Sequence, residues 1–160
     1  MNIDFIILAA GKGTRMGGDS PKVLASLGGK PMIQHLIDTV DSFQNSNTSI
    51  VVGYKANEVE TNLVSRKKLR FVKQKNQLGT AHAVKQALPN IRKNSIAVIL
   101  YGDVPLVKKN TLNRLIKSAS KGKLSLLTFI KDDPTGYGRI IRGSRKNVQK
   151  ITEHKDASSA

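Results

Sequence analysis

Residues Ile3 to Ala10, IDFIILAA, are apolar at nearly every position and run directly into the glycine-rich stretch GKGTRMGGDSPK. A strand that is apolar on both faces belongs inside a parallel sheet with helices above and below, so this junction limits the fold more than any other part of the chain. The glycines invite comparison with two phosphate-binding loops, and both fail on spacing. A G-x-G-x-x-G motif begun at Gly11 and Gly13 would need glycine where Met16 stands. The P-loop gap from Gly13 to Gly18 is followed by Asp19 instead of lysine. The chemistry of an anion cradle is nevertheless present. Gly11 and Gly13 let backbone N–H groups approach a ligand, Arg15 can grip phosphate through two donors, and Lys22 supplies a mobile point charge. Taken alone, the loop would also suit a plain turn carrying solvated lysines.

Strand and helix signals alternate along the rest of the chain. A helix is expected from Pro31, with Met32, Ile33, Leu36, Ile37, Val40 and Phe43 inward. TSIVVGY reads as a strand, Ala56–Val64 as a helix and LRFVKQ as a strand, with residues 44–48 a polar loop. A further helix should start at Thr80, its N-cap, and turn Ala81, Val84, Leu88 and Ile91 inward. SIAVILY is the next strand. It is followed by a helix capped by Asn110 with Leu112, Leu115, Ile116 and Ala119 inside, and then by a strand over KLSLLTFIK. GRIIRG and NVQKITEH read as an antiparallel pair. The pattern predicts a Rossmann-like, doubly wound α/β fold with a mostly parallel sheet, in one domain spanning residues 1–160. Ligands bind such sheets beyond the carboxyl ends of the strands, where the glycine loop, NQLGT and YGDVP would converge.

The charge balance narrows the ligand class. Lysine and arginine number 27 against 11 acidic residues, a net charge of +16, so the chain should attract anions. The densest run, RKKLRFVKQK from Arg66 to Lys75, reads as a solvated face. With three tyrosines, four phenylalanines, no tryptophan and no RNP or zinc-finger pattern, nucleic acid is not the expected partner. The absence of cysteine removes disulfides, thiolate catalysis and cysteine-bound zinc. The N-terminus lacks the basic lead and apolar length of a signal sequence, and no stretch reaches transmembrane length, so the expected location is the cytoplasm, without membrane contact.

Asp103 closes the apolar strand AVILYGDVP, where a carboxylate needs a cation or a backbone donor. It suits Mg²⁺, which takes one or two carboxylates and fills its remaining positions with water and phosphate oxygens. An Asp-Val-Pro turn bonding its own backbone would account for it equally well.

In combination, LAAGKGTRMGGDSPKVL, KQKNQLGTAHAV, LYGDVPLV, DDPTGYGRI and EHKDA resemble the sugar-nucleotide pyrophosphorylases. The resemblance runs from Ile6 to Ala157. It is best with the uridyltransferase domain of the bacterial bifunctional enzymes that make UDP-N-acetylglucosamine, a cell-envelope precursor. It implies that UTP and N-acetylglucosamine 1-phosphate react to give UDP-N-acetylglucosamine and pyrophosphate, with Mg²⁺. Leu8, Ala9, Ala10, Gly11 and Gly13 would follow the nucleotide with their backbone. Arg15 and Lys22 would be catalytic, neutralising the triphosphate and the leaving pyrophosphate. Gln74 would meet the uracil edge, helped by Gly79 and Thr80. Tyr101, Gly102 and Asp103 would line ribose and phosphates, with Asp103 the metal ligand, and Gly138 and Glu153 would contact the sugar. His35, His82 and His154 have structural readings.

The family pattern continues with an Asn-Thr-Gly segment that touches the sugar, a later asparagine that completes the metal site, and further strands. No counterpart stands in this sequence, and no hexapeptide repeat of an acetyltransferase domain is found. The chain is therefore expected to be the N-terminal part of the domain, from a longer reading frame. A split subunit completed by another chain, or a minimal active form, would fit the same pattern, and the unfinished sheet would offer an open edge for a completing chain or a second copy. A non-catalytic nucleotide-binding fragment and a nucleotidyltransferase for another base or sugar phosphate are the alternative functions.

Overall fold

Both faces of β1 (Asn2–Ala9) are covered, as its apolar run requires: Ile3, Phe5, Ile7 and Ala9 are buried on one side, Ile6 and the following Ala10 on the other. The computed structural model describes residues 1–13, 19–144 and 147–157. Contacts divide the chain into two compact units, Met1–Ser125 and Leu126–Ala160. In the first, β1 is followed by a small ribbon, β2 (Ser26–Leu27) and β3 (Lys30–Pro31), and by α1 (Met32–Asp41). Then come β4 (Ser46–Val52), α2 (Ala56–Thr61), β5 (Leu69–Lys73), α3 (Thr80–Ala87), β6 (Ser95–Tyr101) and α4 (Lys109–Ala119). Four strands form a parallel sheet in the order β5-β4-β1-β6. The chain therefore builds outward from β1 to β5 and then crosses back to place β6 on the other side of β1. That reversal is the switch point of a Rossmann-like, doubly wound sheet.

Residues of α1, α2 and α4 pack with the odd-numbered side chains of β1: Ile33, Leu36, Ile37, Val40, Val59, Leu112 and Ile116 are buried there. Phe5 and Phe43 meet edge to face at 5.2 Å in the same layer. On the opposite face α3 lies over Ile6, Ala10 and Val51 through Ala83 and Ala87. No helix among the described residues is long and apolar enough to cross a membrane.

The two outer strands differ in kind. β5 exposes Arg70 and Lys73, and its flanks expose Arg66, Lys68 and Lys75, so the basic run is a solvated edge that repels further strands. β6 carries no charge. It pairs only with β1 among the described residues and exposes Ile99 (46%) and Tyr101 (51%).

The lower end of β1 is closed by an ion pair. Asp4, 2% exposed, accepts hydrogen bonds from the backbone N–H and the Nε of Arg92, both at 2.9 Å, and the same guanidinium donates to the carbonyls of Ile3 and Asn45. Burial by itself would raise the Asp4 carboxyl. Hydrogen bonds from Ser95 and Arg92, with the guanidinium charge, outweigh it and hold the group below the usual carboxylate range. Asp4→Ala is expected to lower stability by about 2–3 kcal/mol at neutral pH, read from the urea midpoint. Because the folded-state value is depressed, the contribution is present above the ordinary carboxylate pKa and fades as pH falls through the folded value. The variant and the native chain should therefore converge in strong acid.

The structure corrects several expectations. Lys123–Lys131 joins no sheet ladder; Leu124 and Phe129 in it stay exposed. A strand needs a hydrogen-bonded neighbour, and an apolar run alone does not provide one. Ser46 and Asn47, expected as loop, already belong to β4 and pair with Ile3 and Asp4. The expected helix Ala56–Val64 ends at Thr61. Gly79, at φ +94°, occupies the cap position assigned to Thr80, and Lys108 the one assigned to Asn110. On α3 the buried positions are Ala83 and Ala87, while Ala81 and Leu88 face solvent. The small side chains let the helix sit close to the sheet, and this decided the face over hydrophobic bulk.

The second unit holds the expected antiparallel pair, β7 (Arg139–Arg142) and β8 (Val148–Thr152), with a bulge at Ile141/Arg142. Phe129 packs edge to face on Tyr137 at 5.3 Å, and Arg139 bonds the carbonyl of Pro134 at 2.7 Å.

Candidate active site

At the carboxyl ends of β1, β5 and β6 lies a cleft of about 500 Å³. It is lined by the backbone that leaves β1, by Lys22 and Val23, by residues from Gln74 to Ala83, and by Tyr101 and Asp103. Lys22 and Asp103 face each other across the cleft mouth with Nζ 2.7 Å from Oδ2, each a little over a third exposed. A cation and a carboxylate are thus paired in a pocket lined by glycine and alanine backbone together with Leu8, Val23, Gln74, Gln77 and Tyr101.

Local sequence explains the arrangement. Gly13 takes φ +68°, and a Cβ there would come within 2.6 Å of the Lys22 Cβ, so glycine lets the start of the loop touch its end. The loop is tied down at its far end. Tyr54 donates to Asp19 Oδ1 at 3.0 Å, Lys55 pairs with Asp19 at 2.8 Å, and Ser20 donates to Glu58 at 2.8 Å. Hydrogen bonds from Lys55 and Tyr54 hold the Asp19 carboxyl below its ordinary range, and the bond with Asp19 raises the Lys55 ammonium.

Gln74 follows β5 and is 5% exposed; its amide nitrogen donates to the carbonyl of Gly79 at 3.1 Å and to His82 Nδ1 at 3.0 Å. No cluster of three or more histidine, cysteine, aspartate or glutamate side chains that could enclose a metal occurs among the described residues. The donor set at the cleft is the single carboxylate of Asp103. It fits a hard cation that arrives with phosphate oxygens and keeps its remaining coordination for water.

The MobA-like NTP transferase domain model matches residues 5–154. The chain belongs to that family. Among relatives of the MobA-like family, the bifunctional protein GlmU of Cellvibrio japonicus is 47% identical over 156 residues, which is 98% of this chain and 34% of that protein. GlmU of Pseudomonas aeruginosa is 48% identical over 160 residues, covering 100% and 35%. The chain thus spans about a third of the length of these relatives. HddC from Yersinia pseudotuberculosis, solved in complex with GMP-PN, superposes with a TM-score of 0.66 at 25% identity, over 94% of this chain and 69% of its own.

Against this NTP transferase background, the cleft gathers Leu8, Ala9, Ala10, Gly11, Gly13, Lys22, Gln74, Gly79, Thr80, Tyr101 and Asp103. Gly102 stands behind the wall. A Cβ on it would lie 2.9 Å from both the Leu8 carbonyl and Val23 Cγ1, so this glycine lets β6 close against β1 and the loop. Arg15 lies outside the described residues. Gly138 and Glu153 belong to the second unit and are neighbours there, a Cβ on Gly138 falling 3.9 Å from Glu153 Oε2. Of the histidines, His35 bonds the Leu27 carbonyl at 2.8 Å, and His154 lies 3.5 Å from the Arg139 guanidinium.

Sequence reasoning missed Gln77. Its amide donates to the Ala10 carbonyl at 2.8 Å and crosses the cleft wall where Gly53 leaves room. The stretch KQKNQLGT contains both Gln74 and Gln77, and nothing in its composition distinguishes the two.

Proposed function

We propose that the chain carries the uridyltransferase chemistry of a single nucleotidyltransferase domain, forming UDP-N-acetylglucosamine and pyrophosphate from UTP and N-acetylglucosamine 1-phosphate. The observation that carries the reading is the meeting of Lys22 and Asp103 at 2.7 Å at the cleft mouth, beyond the ends of the parallel strands. The kinship with GlmU supports the choice of substrates.

In this reading a phosphate oxygen of the sugar phosphate attacks the α-phosphorus of UTP. A new P–O bond forms, the bond to the bridging oxygen breaks, and pyrophosphate leaves with the electron pair. The attacking oxygen is already ionised, so positioning and charge neutralisation do the work without a strong general base. Backbone from Leu8 to Gly13 follows the nucleotide, and Lys22 with Arg15 neutralises the phosphates. Gln74, Gly79 and Thr80 meet the base, Tyr101 and Gly102 flank the ribose, and Gly138 and Glu153 contact the sugar. Asp103 would hold Mg²⁺, which supplies charge neutralisation between the phosphates when bound. Pairing at the uncharged edge of β6, by a second copy or a completing chain, is the partner-level part of the same proposal.

The test is pyrophosphate release by the purified chain with UTP, N-acetylglucosamine 1-phosphate and Mg²⁺. Release that requires both substrates, and falls when CTP, GTP or dTTP replaces UTP, is the expected result. UTP binding without release would favour a non-catalytic nucleotide-binding fragment. No UTP binding by a folded chain would end the reading.

A further inference from the structure

The amide of Gln74 has its nitrogen end fully engaged. One N–H reaches the Gly79 carbonyl at 3.1 Å and the other His82 Nδ1 at 3.0 Å. A carbonyl oxygen can only accept, so the NH₂ end must face Gly79, and its second hydrogen needs a lone pair on His82. A neutral imidazole has one N–H. With Nδ1 accepting, the proton sits on Nε2, which lies 3.1 Å from the amide of Gln86 one helical turn on. The Gln86 nitrogen, which stands at the ring and 3.5 Å from the His82 carbonyl, then exchanges places with its oxygen, which accepts the Nε2 proton. The bond from Gln74 to the Gly79 carbonyl, shorter at 3.1 Å, sets the direction of the chain Gln86–His82–Gln74–Gly79. Gln74 Oε1 accepts no hydrogen bond among the described residues, and it is the remaining polar end of a side chain that lines the cleft.

We infer that His82, seated by Gln86, is a positioning residue that holds Gln74 with its oxygen toward the cleft, and so selects a pyrimidine presenting a ring N–H over one presenting a lone pair. The inference rests on Gln74 meeting the base, as proposed above. Uracil offers N3–H to the oxygen. Cytosine offers the N3 lone pair, which would face the Gln74 oxygen and leave both acceptors unpaired, at a cost that separates the two bases severalfold to a hundredfold.

Two measurements test it. Nitrogen NMR of ¹⁵N-histidine-labelled chain at neutral pH should show His82 as the Nε2–H tautomer; an Nδ1–H tautomer overturns the inference without any variant. UTP and CTP affinities should then be compared in His82→Phe and His82→Asn. Phenylalanine keeps the ring and loses the acceptor, and the preference for UTP should fall about tenfold. Asparagine, whose Oδ1 can stand in for Nδ1, should restore most of it. A preference within twofold of the native chain in His82→Phe overturns the relay. Gln74→Leu separates the two ideas: unchanged UTP affinity there would remove Gln74 from the base site and with it the ground for the inference.

Discussion

Lys22→Ala is expected to reduce pyrophosphate release by about 10²–10³-fold while leaving the fold in place. The two halves of that expectation have different physical origins. The pair with Asp103 is more than a third exposed on each side, and such pairs contribute only about 0–1 kcal/mol to stability. In the proposed reaction the same ammonium would face charge that develops as pyrophosphate departs, where a preorganised cation in a narrow cleft is worth roughly 3–4 kcal/mol. The measurement is turnover beside the denaturation midpoint of the same preparation. Turnover within threefold of the native chain would take Lys22 out of the chemistry, and a collapsed midpoint would show that the loop had been propped open by this residue. The tight approach of Gly13 to the Lys22 Cβ makes the site sensitive from the other side as well.

Asp103→Asn should weaken Mg²⁺-dependent UTP binding by roughly a hundredfold, or about 2.7 kcal/mol. Asparagine has the same shape and can still accept from Lys22, so packing is preserved and the lost quantity is charge. With no multi-carboxylate cluster among the described residues, a hard cation would depend on this one carboxylate and on the phosphates it accompanies. Calorimetric titration with UTP, with and without Mg²⁺, separates the effects: the metal-dependent increment should vanish while metal-free binding changes little or rises. An increment equal to that of the native chain would remove Asp103 from the metal site.

Much of this is legible in the sequence. The two-sided apolar character of Ile3–Ala10 announces a central parallel strand because few other environments accept it. The loops after β1, β5 and β6 then fall at one edge by topology alone, so the cleft-lining residues can be named. Several of the failures depend on partners distant in sequence, and others on side-chain orientation. Alanine is compatible with either face of a helix, so the packing of α3 through Ala83 and Ala87 is set by the closeness of the sheet. Lys123–Lys131 has the composition of a strand, but strand formation is a property of a pair. Gln77 and the hydrogen-bonded file from Gln74 to Gln86 consist of amides and an imidazole whose importance lies in orientation, which letters do not encode. Asp4 gives no sign of its guanidinium partner, since Arg92 stands 88 residues away.

That separation governs the order in which the molecule can assemble. β4 and β5 precede β6 in the chain and can assemble first, β4 against β1 and β5 against β4. The opposite flank of β1 waits for a single later segment, which delivers both Arg92 and the strand that follows it. Until that segment is made, β1 has a bare hydrogen-bonding edge and Asp4 lacks its counter-charge, so the nascent sheet is held in a half-zipped state. Completion is then one concerted closure, in which the buried ion pair and the second ladder form together. The cleft matures in the same event, because Tyr101 and Asp103 arrive with β6. A chain ending before residue 95 would hold three of the four parallel strands and lack the part of the cleft that Tyr101 and Asp103 line.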